Sequence, residues 1–101
     1  MADMAIAAMK KYPNVYAEIT LTPVPLGILE YMVEHVGDSR ILYGSDLPMR
    51  DPRQKLGWVV FSKLPLASKE RILGLNAFDV IKPCIHRLPE YNIPAPYLKR
   101  L

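Results

Sequence analysis

The stretch Arg40-Ile41-Leu42-Tyr43-Gly44-Ser45-Asp46-Leu47-Pro48 decides how the rest of this sequence is read. Its first half is short and apolar, with a β-branched residue and an aromatic, which is strand composition. Its second half, Gly-Ser-Asp ahead of Leu-Pro, is turn composition. A strand that stops on these residues has two explanations. Either Asp46 caps the turn, or it is a carboxylate raised to the rim of a sheet.

Upstream, Asp3 to Lys11 reads as a helix with Asp3 at its N-cap and Met4, Ala8 and Tyr12 on one face. Pro13-Asn14 ends it. Val15 to Thr20 is short and rich in β-branched and aromatic residues, so it reads as a strand. Thr22-Pro23-Val24-Pro25 is rigid connecting chain. Leu29, Met32, Val33 and Val36 then fall at i, i+3, i+4 and i+7, which predicts an amphipathic helix from Pro25 to Val36. Gly37 stands where a helix C-terminal glycine belongs.

Downstream, Pro48 and Pro52 bracket a loop holding Arg50 and Asp51. Leu56, Val59, Val60 and Leu64 repeat at helical spacing up to Pro65. Ser68 is placed as the N-cap of a helix over Lys69 to Leu75, and Asn76 as the cap of further turns through Ile81. Pro83 is expected to stop the helix. The chain divides into a body over 1–81 and a proline-rich tail over 82–101 that is expected to be irregular.

The predicted order is helix, strand, helix, strand, helix, helix. Both strands are followed by helices and are joined through one, which makes them parallel by the right-handed crossover rule. Two parallel strands rarely stand alone, because parallel sheets are covered on both faces and have several strands. The expected class is α/β, as part of a larger body.

Bulk properties narrow the functional classes. The chain has 101 residues, half of them apolar, which suits one small domain. Its formal charge of +3 is carried by scattered basic residues, so no nucleic-acid stripe emerges and no nucleic-acid partner is expected. Cys84, the one cysteine, excludes an internal disulfide and fits a reducing compartment. The apolar stretches are too short to span a bilayer, and no basic segment precedes the first of them. A cytoplasmic protein with no membrane partner is expected.

Three elements together, "YPNVYAEIT", "RILYGSDLP" and "KERILGLNAFDVI", in that order and spacing, resemble the C-terminal end of the amidohydrolase-2 family. The resemblance covers Asp3 to Ile81. It implies a partial (β/α)8 TIM barrel, namely the last two βα units with parallel strands and flanking helices. Val15 to Thr20 would be the seventh strand and Arg40 to Ser45 the eighth. Family members are metal-dependent hydrolases or non-oxidative decarboxylases, so the resemblance implies a divalent metal, zinc first, in a complete barrel acting on a small-molecule substrate.

By the same resemblance, Asp46 matches the family's aspartate at the C-terminal rim of strand eight, where it ligates the metal or takes a proton from metal-bound water. Barrel active sites stand at that end of the strands. If Asp46 points inward, period-two alternation sends Gly44 and Leu42 inward as well, and Gly44 leaves room beside the carboxylate. Glu18 and Thr20 share a parity, so Glu18 faces either the substrate or a helix. Arg50 would bind a substrate carboxylate or pair with Asp51, the latter being the expected state.

The family's histidine ligands have no counterpart among these strands. His35 falls late in a helix, on its surface, and the Cys84/His86 pair has no second pair to complete a zinc site. Trp58 is expected to be packing surface. The enzymatic expectation is a segment that works only within a full barrel, completed by a missing N-terminal barrel segment or by other chains. The structural expectation is an inactive remnant that self-associates through its exposed strands. An internal methionine at Met1, within a longer coding frame, is a third expectation.

Overall fold

A computed structural model describes residues 1–20 and 25–87, with Pro94 and Lys99. The connector over 21–24 and the tail segments 88–93, 95–98 and 100–101 lie outside the described residues. So do the side chains of His86 and Arg87.

Helix α1 spans Ala2–Lys11, with Asp3 in its first turn and Lys10 and Lys11 in its last, each favourable to the helix dipole. It opens at Met1 without a side-chain cap, so Asp3 is not the N-cap. The Asp3 carboxylate instead accepts the Tyr31 hydroxyl of the next helix at 2.9 Å. The buried face is Ile6 and Met9, whereas Met4 and Tyr12 are exposed. Tyr12 already has extended backbone angles (φ −122, ψ 108), so it leaves the stripe in which spacing alone had placed it.

Strands β1 (Ala17–Glu18) and β2 (Ile41–Leu42) pair in parallel, Ala17 opposite Ile41 and Glu18 opposite Leu42. The connection between them runs through α2 (Ile28–Val36), as the crossover rule requires. This helix starts behind Gly27, at φ 81, and not at Pro25. Leu29 and Met32 are buried, with Val33 and Val36 packed against the same core. Gly37 ends α2 at φ 76, and its N–H donates to Val33 O at 2.8 Å, the glycine cap that the sequence predicted.

Helix α3 (Pro52–Val60) starts with proline in its first turn and Asp51 at its N-cap, where the carboxylate accepts the Arg53 N–H at 2.9 Å. The Arg53 guanidinium also donates to it. The side-chain hydrogen bond first, and then the backbone one, pull the Asp51 pKa from 3.8 to about 2. A carboxylate whose folded pKa is depressed adds stability above its unfolded pKa and loses it as pH falls towards the folded one. Acidification from about pH 4 to about pH 2 is therefore expected to loosen the start of α3. Circular dichroism of the native chain over that window should show the loss, and Asp51→Asn, which keeps an acceptor that does not titrate, should lack that step.

The inward face of α3 corrects the predicted stripe. Val59 and Leu64 are buried, but Leu56 and Val60 are exposed, and Lys55 takes the inside position at 1% exposure. Residues 55/59 and 56/60 have the same i, i+4 spacing, so the period alone could not choose between them.

From Leu66 to Ile81 the chain is one continuous right-handed helical run: α4 (Leu66–Glu70), a wide π-helical segment (Arg71–Leu75) and α5 (Asn76–Ile81). Glu70, Arg71, Leu75 and Asn76 all have αR angles, so neither Ser68 nor Asn76 is a cap. Ser68 is buried within α4 and donates to Asp38 Oδ2 at 2.6 Å. The chain does not turn irregular at Pro83: Lys82–Arg87 continues as a 3-10 helix.

The widened segment closes one edge of the sheet. Ala17 N–H and Ile19 N–H donate to Arg40 O and Leu42 O, so those groups of β2 face β1. The alternate groups, Ile41 C=O and Tyr43 N–H, face the opposite edge. Tyr43 N–H donates to Ile72 O at 2.9 Å, and Asn76 Nδ2 donates to Ile41 O at 3.0 Å and Asp38 O at 2.5 Å. The Asn76 N–H reaches back to Arg71 O. A π-helical register of this kind shifts carbonyls out of the usual ladder and is common where a helix meets a special partner.

The core lies on one face of the sheet. Ile19 and Ile41 pack there with Ile6, Met9, Leu29, Met32, Val59, Leu64 and Ile72. Glu18, Thr20, Leu42 and Gly44 stand on the other face and take no part in that core. No described helix is long and apolar enough to cross a membrane.

Candidate functional site

Beyond β2 the chain runs Tyr43-Gly44-Ser45 and reaches Asp46 at φ 61, the left-handed region that aspartate tolerates better than most residues. Period-two alternation ends there, so the parity argument holds for Leu42 and Gly44 but does not fix the direction of Asp46. The Leu47–Pro48 peptide bond is cis. Leu47 N–H donates to Ser45 Oγ at 3.2 Å, and Arg50 N–H donates to Asp46 O at 3.0 Å. The turn explanation of the motif is thus realised in the backbone.

The side chain of Asp46 is engaged as well. Arg50 Nε donates to Asp46 Oδ2 at 2.9 Å, with the two side chains 49% and 37% exposed. Arg50 therefore pairs with Asp46, and not with Asp51 as the sequence suggested. Asp51 is occupied by Arg53 and by its capping role. The turn at Asp46 is what brings Arg50 into line with it.

Glu18 stands on the sheet face away from the helical core, and its carboxylate folds back to accept the Thr20 N–H at 3.1 Å and the Thr20 hydroxyl. That carboxylate occupies the space over Gly44, since a Cβ built there would overlap Glu18 Oε1 and Thr20 Oγ1 outright. The room foreseen beside Gly44 is taken by the chain's own acid. Gly44→Ala is expected to expel the carboxylate and cost about 1–2 kcal/mol, the scale of two exposed hydrogen bonds. Urea melts of Gly44→Ala, Glu18→Ala and the double variant check this. Adding Gly44→Ala to Glu18→Ala should cost less than Gly44→Ala costs the native chain, because one of the two clash partners is gone and Thr20 Oγ1 remains.

His35 is exposed near the end of α2, its Nδ1 2.8 Å from Tyr31 O and its ring 4.2 Å from that of Tyr31. Cys84 is an exposed free thiol. Trp58 is half-buried and packs against the core, as expected. Among the described residues no group of three or more His, Cys, Asp or Glu side chains converges. One carboxylate already paired with an arginine does not fit a divalent metal by itself, as such sites take three or four protein ligands. The described residues hold one candidate ligand and not a site.

The burial of two polar residues was not foreseen: Asn76 was read as a cap, and Lys55 was not singled out. Asn76 and Lys55 are polar side chains in core positions, one helical turn from Ile72 and Val59 respectively. A polar residue in phase with an apolar stripe was the available signal.

The described chain is a βαβ unit with parallel strands joined through a helix, and Asp46 stands just past the end of its second strand. The family model described as amidohydrolase matches residues 2–81, and the chain belongs to that family. No curated protein and no solved structure matches it.

Proposed function

We propose that residues 1–81 form the last two βα units of a (β/α)8 amidohydrolase barrel and contribute Asp46 to a site whose other ligands come from outside these residues. The observation that supports this most is the two-sided sheet. Its Ile19/Ile41 face is packed by helices, while Glu18, Thr20, Leu42 and Gly44 face away from them, as barrel-lining residues do. The reaction class that goes with the family is hydrolysis of an amide, ester or lactone, or non-oxidative decarboxylation of a small carboxylate. Glu18 and Arg50 stand as the substrate-facing groups: Glu18 on the lining face and Arg50 beside Asp46 at the strand-end turn.

One observation favours a second reading, an inactive remnant that self-associates. The outer edge of β2, where a barrel would place a neighbouring strand, is already hydrogen-bonded by Ile72 and Asn76. Barrel closure exchanges those bonds for strand ones. Self-association uses the outer edge of β1 instead, towards which alternation turns the Glu18 backbone groups, since those of Ala17 and Ile19 face β2.

Native mass spectrometry of the chain with added zinc tests the shared premise that this chain holds only part of a site. The expected result is self-association without zinc in a fixed ratio to protein. A monomer holding one zinc would overturn it.

A further inference from the structure

Of the two edges of the sheet, the chain itself closes one. On the outer edge of β2, Tyr43 N–H donates to Ile72 O and Ile41 O accepts from Asn76 Nδ2. On the other side, β1 has β2 as its one strand neighbour among the described residues.

The ladder fixes which groups line the outer edge of β1. Ala17 N–H and Ile19 N–H point at β2, so the carbonyls of the same trans peptide groups, Tyr16 C=O and Glu18 C=O, point away from it. Alternation sends Glu18 N–H the same way. The next outward N–H, that of Thr20, is taken by the Glu18 carboxylate at 3.1 Å. The stretch of edge left for pairing is therefore short and centred on Ala17.

We propose that a second copy of this chain pairs with that stretch, antiparallel about a two-fold axis at Ala17, and that association stops at the dimer. This rests on the self-association reading above. In this register Glu18 N–H of each copy donates to Tyr16 O of the other, and Tyr16 N–H donates to Glu18 O. Ala17 faces its own counterpart in the close, non-hydrogen-bonded position, which suits a small side chain. An axis at Glu18 would set two carboxylates directly opposite each other, which is destabilising. An axis at Ile19 would need the Thr20 N–H that Glu18 already holds.

The closed edge of β2 sets the size of the assembly. Pairing β1 of one copy on β2 of the next is a head-to-tail contact that can repeat, and Ile72 and Asn76 occupy the place that it needs. Two identical open edges instead close on each other. They turn a two-stranded sheet, marginal by itself, into a four-stranded one.

The test follows the full chain by native mass spectrometry over a dilution series, as native protein, Glu18→Ala and Glu18→Pro. Proline removes the outward N–H and leaves the Ala17 and Ile19 bonds to β2 in place, as a proline at a sheet edge does, whereas alanine removes only the carboxylate. Native and Glu18→Ala chains are expected as dimers. Glu18→Pro should raise the dissociation constant at least about tenfold, the scale of two lost hydrogen bonds. Monomers throughout would overturn the self-association reading and the proposal together. A series extending beyond dimers, or Glu18→Pro dimers as tight as native, would overturn the proposal alone. Amide exchange of the native chain gives a check that does not depend on how the variant folds. Glu18 N–H should exchange more slowly in the dimer than after dilution to monomer, and equal exchange would count against the proposed edge.

Discussion

Replacing Asn76 by alanine is expected to destabilise this chain by about 2–4 kcal/mol, because two inward-facing carbonyls then lose their donor. Asn76 is 2% exposed, and its Nδ2 serves both Ile41 O and Asp38 O. No water reaches a side chain so enclosed, so nothing replaces the amide. For a fold of this size that is a sizeable part of the total stability, equivalent to a fall in Tm of roughly 10–20 °C. Asn76→Asp should be worse than alanine although it has the same shape. It sets an acceptor, charged when ionised, against two carbonyl oxygens, where alanine leaves them unpaired but adds no repulsion. Thermal melts followed by Trp58 fluorescence separate the three chains. Asn76→Asp equal to native would mean that the amide bonds contribute nothing.

Replacing Lys55 by methionine is expected to act in the opposite direction and raise stability by about 1–3 kcal/mol. Methionine keeps much of the length and volume of the lysine stem, so the packing around Val59 and Trp58 is preserved. What is removed is an ammonium that is enclosed and has no acceptor among the described residues. Replacing a buried charged group by an apolar one of similar volume is often stabilising for this reason. The check is the urea midpoint with an unchanged m-value, which separates a stability change from an altered unfolded state. A lowered midpoint would mean that the lysine already contributes to the fold.

These two residues also mark where the sequence was legible and where it was not. The parallel pairing of β1 and β2, the α2 stripe and the Gly37 cap follow from patterns that local physics enforces: a crossover has one hand, a buried stripe has one period, and φ 76 suits glycine. The stripe on α3 failed because two registers satisfy the same period, and tertiary packing chose the one containing Lys55. Asn76 was misread as a cap because asparagine is usually found at helix ends. Its partners, Asp38 and Ile41, lie 38 and 35 residues away, and no local rule reaches that far.

The site at Asp46 was legible in a similar way. Its motif showed a turn and a carboxylate together, and the structure contains both, with the backbone turn closed by Arg50 and the side chain held by it. The pairing of Arg50 was missed because the left-handed angle at Asp46 reorients the loop, and such an angle leaves little mark in the sequence. The filled space over Gly44 was missed for another reason. The side chain of Glu18 reaches it from a different strand, across the register that pairs Glu18 with Leu42.

The most direct measurement of the central claim is metal retention by this chain co-expressed with a separate chain carrying the first six strands of an amidohydrolase barrel. Purified together, the two are predicted to form a one-to-one complex that keeps a divalent metal through dialysis. Asp46→Asn in this chain should then lower the retained metal at least about tenfold, as loss of a ligand does. Two results would contradict the assignment of these residues as the closing sector of a barrel with Asp46 at its site: no complex at all, or a complex in which the Asp46→Asn variant retains as much metal as the native chain.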